Sequence, residues 1–382
     1  MDRYFVVTGE KRILRYTYTV MKHLWLFPLC WLMGCQAPTT GQEESNTQEP
    51  PGTPIAKIDI HAHYRADRDY LVELLDSFNL KPLLVDVARQ DSSIWMENLS
   101  GLKQVYQKYP QYFYCASFGA AGIDQPGFAD NVISRLQEEI DQGARMVKVW
   151  KNFGMIFKDQ SGAYVHIDDE RLQPIWDFLV EKNIPVLSHI GEPLQAWRPL
   201  EDDNPHANYY RNHPEYHAYH HPEIPSWDTI QQARNNWLAR NPQLMVVGAH
   251  NGSMSHDVDL MAQRLDEFPN FYVEPAARFG DLARQEADKV RAFLIKYQDR
   301  FLYGTDLGTS TPQSEMDPVE FLRERQGIVY MMDMHWRYLS GKGPLDFHRS
   351  LQGNSYPTRG LELPDSVLSK IYYKNAAKLL KL

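Results

Sequence analysis

Short apolar runs alternate with helical patterns along the chain from residue 56 to its end. Eight runs are rich in Val, Ile, Leu, Phe or Tyr, and they cover residues 56–63, 82–88, 113–119, 144–150, 184–190, 243–250, 270–276 and 300–306. Between the runs, apolar residues recur at helical spacing, as at Val258, Met261 and Leu265. Near-continuous apolar strands separated by helices are typical of a parallel sheet that is buried on both faces.

Eight strand–helix repeats predict an α/β protein with the (β/α)8 architecture of a TIM barrel. The runs are roughly evenly spaced except between the fifth and the sixth, where the spacing doubles. A doubly wound open sheet is the structural alternative. It usually has fewer strands and a glycine-rich first turn, which this sequence lacks.

The N-terminal residues follow a different pattern. After Met21 a lysine precedes an apolar stretch at residues 24–33, and the small Gly34 then precedes Cys35. The stretch is too short to span a bilayer, and its end, "LMGC", resembles a bacterial lipoprotein signal. The resemblance implies cleavage before Cys35 and lipidation of its thiol. The alternative is an ordinary signal peptide followed by a chance cysteine.

These patterns predict four segments. Residues 1–20 do not fit a signal peptide, and we expect them to reflect an upstream start codon with translation from Met21. Residues 21–35 are the predicted lipoprotein signal, and the polar residues 36–55 form a tether rich in Pro, Thr and Gln. Residues 56–382 form the folded domain. We therefore expect the domain to lie in the bacterial cell envelope, outside the cytoplasm, on a lipid anchor.

Charge and cysteine content exclude some classes of protein. A net charge of −9 argues against a nucleic-acid partner. The three cysteines, Cys30, Cys35 and Cys115, provide no disulfide framework once the signal and the lipid site are set aside. The domain must therefore be held together by its own core. The expected partners are a small-molecule substrate, the membrane and, as an open alternative, further copies of the chain.

Polar residues stand at the C-terminal ends of the predicted strands, where barrel enzymes carry their active sites. They are His61 and His63 after the first run, Lys148 in the fourth, His189 and Glu192 after the fifth, His250 after the sixth, Glu274 and Arg278 after the seventh and Asp306 after the eighth. Alternation along the first strand also predicts that Asp59 shares a face with the first two histidines. A single such residue is explained by a helix cap or a satisfied core histidine. Four strands with metal-type ligands at one rim instead predict a site.

Five segments together give a resemblance to a known family. They are "DIHAH" at 59–63, "VLSHIGEP" at 186–193, "VVGAH" at 246–250, "RFLYGTDLG" at 300–308 and "IYYKNAAKLL" at 371–380. Over residues 56–382 the chain resembles the amidohydrolase superfamily, and within it the amidohydrolase-related branch. That branch includes aminocarboxymuconate-semialdehyde decarboxylases, resorcylate decarboxylases and lactone hydrolases.

The resemblance implies that His61, His63, His189 and Asp306 hold one divalent metal ion and that His250 is the catalytic histidine beside it. The chemistry of the residues agrees, because several imidazoles with one carboxylate suit Zn²⁺, with Mn²⁺ as the second choice. Asp306 could also accept a proton from water. His250 could donate a hydrogen bond to a developing oxyanion or protonate the leaving group.

Three further residues have open roles beside the site. Two-metal members of the superfamily carry a carboxylated lysine on the fourth strand, so Lys148 could serve a second metal. We expect one metal, with Lys148 paired to a carboxylate such as Glu192 or Asp306, or orienting substrate. Arg278 could hold a substrate carboxylate, or it could form an ion pair with Glu274.

The histidine-rich segment at residues 193–227 lies in the long interval between the fifth and sixth runs. Its histidines are irregularly spaced and no cysteine accompanies them, so we expect the segment to fold over the barrel mouth rather than to bind a metal. The chain also lacks the motifs of serine hydrolases, P-loop nucleotide enzymes and zincins.

The leading hypothesis is a metal-dependent hydrolase that acts on a small ester, lactone or amide. The alternative is a metal-dependent non-oxidative decarboxylase, in which His250 or Asp306 delivers a proton to the carbon that loses CO₂. A third hypothesis is a tethered binding module without catalytic activity. Every expected metal ligand is present, which argues against this third hypothesis.

Overall fold

The computed structural model describes residues 55–88, 92–201, 204–309, 311–348 and 355–382, and at residues 92–99 the backbone alone is described. The predicted signal peptide, its lipidation site Cys35 and residues 36–54 of the predicted tether lie outside these ranges, so they stay predictions. None of the helices in the described part of the chain is long and apolar enough to cross a membrane.

Eight parallel strands form one sheet in the order β7-β6-β5-β4-β3-β2-β1-β8. The strands are β1 Lys57–Tyr64, β2 Leu80–Val85, β3 Phe113–Ser117, β4 Ala144–Val149, β5 Val186–Ser188, β6 Val246–Gly248, β7 Phe271–Val273 and β8 Leu307–Thr309. Each pairs in parallel with its neighbours in this order. The predicted α/β class, with parallel strands alternating with helices, is therefore confirmed.

The eighth apolar run joins the two ends of the sheet. Phe301 forms a parallel bridge with Val273 of β7. On the other side, the backbone N–H of Ile60 in β1 donates to the carbonyl oxygen of Tyr303 at 3.1 Å. The regular ladder of β8 with β1 begins only afterwards, at Leu307. The eighth strand predicted at residues 300–306 is thus replaced by two pieces, a segment that bridges β7 and β1 and the short strand β8 that follows it.

Helices pack on the outside of the sheet and at its two ends. They are α1 Asp69–Ser77, α2 Ser92–Lys108, α3 Phe128–Asp141, α4 Asn152–Met155, α5 Gln173–Glu181, α6 Ala207–Asn212, α7 Trp227–Arg240, α8 Ala249–Gly252, α9 Val258–Glu267, α10 Phe279–Ala283, α11 Ala287–Lys296, α12 Pro318–Ser340, α13 Asp365–Ser369 and α14 Asn375–Leu380. Two short ones, α4 and α8, contain residues with non-helical backbone angles. An antiparallel hairpin, β9 Pro344–His348 and β10 Ser355–Arg359, follows α12. A π-helical turn, Lys370–Lys374, joins α13 to α14.

The core has two layers. The outer layer lies between the strands and the helices and includes Trp176 and Trp237. The inner layer fills the barrel with alternate strand residues: Ile58, Ile60, Leu83, Val85, Cys115, Met146, Leu187, Val247 and Leu302. Ala376, Leu379 and Leu380 of α14 belong to the same inner layer, so this helix closes the N-terminal end of the barrel. Each fully buried aliphatic side chain contributes about 1.5–3 kcal/mol.

A bulge in β1 turns its histidines toward the barrel mouth. Ile60 packs in the inner layer, whereas Ala62 packs in the outer layer, and the pairing register shifts between Asp59 and Ala62. Because the strand changes face at the bulge, the side chains of His61 and His63 point toward the inside of the barrel. A regular strand would have placed them on the opposite face from Ile60.

The same bulge separates Asp59 from the histidines. The Asp59 carboxylate accepts the backbone N–H of Thr305 at 3.0 Å and the Thr305 hydroxyl at 2.5 Å. It also accepts the backbone N–H of His61 at 3.0 Å. The prediction that Asp59 joins the histidines was therefore wrong, because the bulge breaks the alternation. Asp59 instead ties β1 to the segment that carries Asp306.

We predict opposite stability effects for two glycine substitutions. In Gly248→Ala the new Cβ would lie 2.6 Å from the Phe271 ring and 2.9 Å from the Cα of Gly252, so we expect a loss of about 1–3 kcal/mol. In Gly327→Ala, within α12, the Cβ would meet nothing within 4 Å, so we expect a gain of about 0.5–1 kcal/mol. Urea unfolding of both variants measures these changes. Equal stability of Gly248→Ala and the parent chain would contradict the packing described for β6.

Candidate metal centre

Two histidines and a carboxylate converge where β1 ends. The Nε2 atom of His63 lies 3.2 Å from Oδ1 of Asp306, and Nε2 of His61 lies 3.6 Å from the same oxygen. Asp306 has a left-handed φ of 62°, and its backbone N–H donates to the carbonyl of His61 at 2.7 Å. The structure therefore brings these three sequence-predicted residues together.

The other ring nitrogens of these histidines are held by neighbouring strands. The Nδ1–H of His63 donates to the carbonyl oxygen of Val85 at 2.8 Å, and that of His61 donates to Oε1 of Glu274 at 2.7 Å. Because both partners accept, each Nδ1 carries the proton and each Nε2 presents a lone pair. Burial lowers the pKa of His61 and of His63, so both rings are neutral at pH 7. Neutral imidazoles with free lone pairs are the form that binds a metal.

Asp306 supplies the negative charge of the group. Burial opposes its ionisation, but the close contact with the ring of His63 and the neighbouring His61 and His250 hold the pKa of Asp306 well below its usual range. The side chain is therefore a carboxylate near neutral pH. It has two uses in this position, as a ligand for a cation and as a proton acceptor.

Glu274, at the end of β7, connects two of the candidate histidines. Besides His61, its Oε1 accepts the backbone N–H of His250 at 3.2 Å. The side chain is fully buried, and the ligand atoms of His61, His250 and Glu274 lie within 4.8 Å of one another. The sequence placed Glu274 at a strand end but gave it only an ion pair with Arg278. The position of Glu274 at the end of the seventh run was the sequence feature that could have indicated a place in the site.

His250 lies on an unusual turn after β6. Residues 250–253 all have left-handed φ values, between 55° and 61°. Left-handed backbone costs about 1–2 kcal/mol for each residue that is not glycine, so the surrounding structure must hold it. The backbone N–H of Asn251 donates to the carbonyl of Glu274 at 2.6 Å, and the Ser253 hydroxyl contacts the carbonyl of Gly191 at 2.8 Å.

A buried arginine holds the same turn from behind. Nη1 of Arg234 donates to the carbonyl of Gly252 at 2.7 Å, and Nη2 donates to Oδ1 of Asn235 at 2.9 Å. The guanidinium also stacks on the Phe271 ring, 5.2 Å from its centroid. Burial lowers the pKa of Arg234 to about 9, and its direct partners here are neutral groups. The turn that carries His250 is therefore fixed on both sides.

The ring of His250 is oriented by a carbonyl group. Its Nδ1–H donates to the carbonyl oxygen of Ala276 at 2.7 Å, and burial lowers its pKa well below the usual value. The neutral ring therefore presents a lone pair at Nε2. The predicted hydrogen-bond donation from His250 to an oxyanion does not match this tautomer, because Nε2 must first receive a proton.

His189 lies beside His250 rather than in the tightest group. The centroids of the two rings are 4.3 Å apart, and neither close group of ligand atoms includes His189. Its Nε2 atom is buried and has no hydrogen-bond partner among the described residues. Leaving such an atom unpaired costs about 1–3 kcal/mol, which a bound ligand or ion would offset.

These side chains surround one cavity of about 190 Å³. It is lined by His61, His63, Arg65, Val87, Lys148, Trp150, Lys151, His189, Tyr209, His250 and Asp306. The volume suits a small ligand. Three of the lining side chains carry basic groups, whereas Asp306 is the lining carboxylate.

Lys148 contacts a candidate ligand directly. Its Nζ donates to Nε2 of His61 at 3.2 Å, and burial lowers the pKa of Lys148 to about 8. The predicted pairing with Glu192 is wrong, because Glu192 forms an ion pair with Lys151. Asp306 acts on Lys148 through its charge, which raises the lysine pKa.

Lys151 faces the site, and Glu192 does not. It lines the cavity, whereas Glu192 lies behind it as its ion-pair partner. Nζ of Lys151 also donates to the Tyr209 hydroxyl at 2.8 Å and lies 3.4 Å from the centroid of the Tyr216 ring. The sequence signal for Lys151 was its place immediately after the fourth run.

Arg278 lies beside the site without lining the cavity. Its Nε is 4.0 Å from a carboxylate oxygen of Asp281, and its Nη1 donates to the carbonyl of Ala277 at 3.1 Å. The predicted alternative of an ion pair with Glu274 is wrong, because Glu274 is bound to His61. Contact of Arg278 with a substrate carboxylate stays a prediction.

The histidine-rich segment covers part of the barrel mouth, as predicted. Tyr209 from this segment lines the cavity. His206 contacts the Asp281 carboxylate at 3.2 Å, and His217 contacts the carbonyl of Arg198 at 2.9 Å. Among the residues that the structure describes, no histidine of this segment joins a metal-type group.

A family model described as "Amidohydrolase" matches residues 58–382, the whole barrel. The chain belongs to the amidohydrolase family. The match includes every candidate site residue described above and excludes the predicted signal and tether. A search among curated protein sequences found no match.

Solved structures of several proteins are similar to this amidohydrolase at low sequence identity. A 2,6-dihydroxybenzoate decarboxylase in complex with 2,6-dihydroxybenzoate is 14% identical, with a TM-score of 0.50, over 86% of this chain and 99% of that one. A dihydroxybenzoic acid decarboxylase from Polaromonas sp. JS666, with bound manganese and 2-nitroresorcinol, is 15% identical with a TM-score of 0.47, over 86% and 97%. A probable 2-pyrone-4,6-dicarboxylic acid hydrolase from Acinetobacter baumannii, with bound citric acid, is 12% identical with a TM-score of 0.42, over 85% and 99%.

We predict that Glu274→Gln weakens metal binding about 10- to 100-fold. The amide would lose the charge-assisted bond that fixes the His61 ring, and loss of such a partner has this typical effect. Competition with a chromogenic chelator measures the affinity. Glu192→Gln is the matched control, because Glu192 is equally buried but pairs with Lys151, so the metal affinity should stay within twofold of the parent. Equal losses in both variants would contradict the role given to Glu274.

Proposed function

We propose that this amidohydrolase is a metal-dependent hydrolase of a small ester, lactone or amide. The observation that supports this most directly is the convergence of the Nε2 atoms of His61 and His63 on Asp306 inside a small cavity. The location at the C-terminal end of the strands is where barrel enzymes carry out their chemistry.

The donor set fits a divalent ion. Two lone pairs converge with a carboxylate oxygen, and the buried Nε2 of His189 has no partner among the described residues. We assign His61, His63, His189 and Asp306 to one ion, with Zn²⁺ favoured by the imidazole-rich set and Mn²⁺ as second choice. When bound, such an ion polarises the substrate carbonyl and lowers the pKa of water.

Asp306 and His250 share the proton transfer of hydrolysis. Asp306 is ionised and accepts the proton of the attacking water, while the oxygen of that water bonds to the carbonyl carbon. The bond to the leaving oxygen or nitrogen then breaks, and that atom needs a proton. His250 presents a lone pair at Nε2, so it relays the proton to the leaving atom. Lys148 contacts the same His61 lone pair that a metal would take, so we assign it to substrate oxygens once an ion is bound.

Decarboxylation is the second candidate, because three cationic side chains line the cavity. Arg65, Lys148 and Lys151 would favour a substrate that carries a carboxylate. In this reaction the carbon that loses CO₂ takes up a proton instead of water. The two functions therefore differ in their products. A binding module without catalytic activity is the third hypothesis.

We predict that the purified chain turns over a member of a panel of lactones, esters and aromatic carboxylates. Acid release and CO₂ release are followed separately, so hydrolysis and decarboxylation give different signals. Asp306→Asn should lower kcat by about 10²- to 10⁴-fold, because a proton acceptor is lost. Asp177→Asn, on the exposed face of α5, is the control and should keep full activity. Release of CO₂ without hydrolysis would overturn the hydrolase proposal in favour of the second candidate.

We propose further that Cys35 carries lipid and holds the domain in the cell envelope. The support is the "LMGC" sequence and the polar residues that follow it. Cys35→Ser should move the protein from the salt-washed membrane fraction to the soluble fraction, because the thiol that takes the lipid is absent and high salt screens any attraction between lysines and lipid. Fractionation and the mass of the N-terminal peptide measure this. A Cys35→Ser protein that stays quantitatively in the salt-washed membrane fraction would contradict the lipid anchor.

A further inference from the structure

Exposed apolar side chains gather at the N-terminal end of the barrel, opposite the metal centre. Val329 and Trp336 of α12 are 40% and 38% exposed, and Tyr373 and Leu382 are 37% and 52% exposed. The first two are seven residues apart, so they lie on one face of α12. All four line two grooves that share Lys57, the first residue of β1. A fully solvated surface has little reason to group such residues.

The helix that closes the barrel and the residues on either side of it add exposed lysines to this end. Leu379 and Leu380 of α14 are buried in the barrel, whereas Lys374, Lys378 and Lys381 are exposed. Lys378 lies in α14, Lys374 ends the π-helical turn before it, and Lys381 follows it with a left-handed φ of 57°. No acidic residue follows position 365, so the end of the chain is basic although the whole chain has a net charge of −9. Asp333 of α12 also lines the groove that contains Val329 and Trp336, at this same end.

The described chain begins at this same end. Ile55, the first described residue, lines the groove that contains Trp336. Nineteen residues, 36–54, separate it from Cys35 and span at most roughly 65 Å. A lipid on Cys35 would therefore keep this end of the barrel within reach of a bilayer. The metal centre lies at the other end of the strands.

We infer that this end of the barrel docks on the surface of an anionic phospholipid bilayer. The docking surface, here called the floor surface, consists of Val329, Trp336, Tyr373, Lys374, Lys378, Lys381 and Leu382. Trp and Tyr prefer the membrane interface, and each lysine near an anionic surface contributes about as much as a fivefold gain in binding. Docking in this orientation turns the metal centre toward solvent, where substrate arrives. The inference rests on the proposed envelope location.

A second copy of the chain is the competing occupant of the floor surface. Two copies in contact would bring Lys374, Lys378 and Lys381 of each close to those of the other, and the repulsion between like charges opposes this. A bilayer with anionic headgroups pairs with the same charges. The charge pattern therefore favours the lipid.

The test uses a lipid-free chain that starts at Gln36, because residues Gly52–Leu382 form one compact unit that holds the whole described core. This chain is sedimented with vesicles of phosphatidylcholine alone or mixed with phosphatidylglycerol. We expect binding to the mixed vesicles and little to the neutral ones. Lys374→Gln with Lys378→Gln should weaken binding roughly 30-fold, from two lysine contributions. Trp336→Ser should weaken the part of the binding that persists at high salt.

The control removes two exposed lysines from the other end of the barrel. Lys158 follows β4 and Lys289 lies in the first turn of α11, so Lys158→Gln with Lys289→Gln changes the net charge equally. It should leave vesicle binding within twofold of the parent. Equal loss in both double variants, or no binding to mixed vesicles, would overturn the inference. Sedimentation of the free chain as a dimer that Trp336→Ser converts to a monomer would assign the floor surface to a second copy instead.

This assay does not depend on lipidation of Cys35. If the chain from Gln36 binds mixed vesicles but the N-terminal peptide of the full chain carries no lipid on Cys35, the proposed anchor is contradicted and the floor surface is kept. If Cys35 of the full chain carries lipid but the chain from Gln36 does not bind vesicles, the anchor is kept and the floor surface is overturned.

Discussion

The arrangement of the metal centre depends on one buried carboxylate, that of Glu274. Burial raises the pKa of this group, while contacts with His250, the backbone of Ala276 and Lys148 favour its charged form. It fixes the ring of His61 and the backbone of His250, which belong to strands far apart in the chain. Space for it depends on Gly304, because a methyl group there would lie 2.5 Å from the Glu274 carboxylate. A single carboxylate thus orients the imidazole of His61 and fixes the backbone that carries His250 before any ligand arrives, at the cost of its own desolvation.

The backbone supports this carboxylate with two irregular features. The bulge in β1 turns His61 and His63 inward, and the left-handed turn at residues 250–253 brings His250 beside them. Both are local departures from regular geometry at the end of a strand, where function is concentrated in barrels. The burial of apolar side chains in the two layers of the core offsets the free-energy cost of the bulge and of the left-handed turn. Stability and chemistry therefore occupy opposite halves of the strands, and the charge pattern adds a third region at the closed end of the barrel.

The sequence predicted the alternation of parallel strands with helices and the approximate places where most strands end, because both depend on local patterns. Apolar runs report burial, and residues after such runs fall at one rim whatever the details of pairing. The prediction from sequence was wrong where the pairing between strands determines the position of a side chain. The bulge that removes Asp59 from the site arises from the register of β1 with β2, which alternation cannot show. Glu192 and Lys151 both follow strand ends, and only the loop paths decide that Lys151 lines the cavity while Glu192 lies behind it. The tautomer of His250 depends on the carbonyl of Ala276, which is 26 residues away.

We propose that His61, His63 and His189 join Asp306 around a single ion. X-ray absorption spectroscopy of the zinc-loaded chain is the decisive measurement, because it counts the donor atoms and measures their distances. We expect about three imidazole nitrogens at roughly 2.0–2.1 Å together with oxygen donors, and about one imidazole fewer in the His189→Ala chain. A spectrum with only oxygen donors, or one that the His189→Ala change leaves unaltered, would rule out this set of ligands.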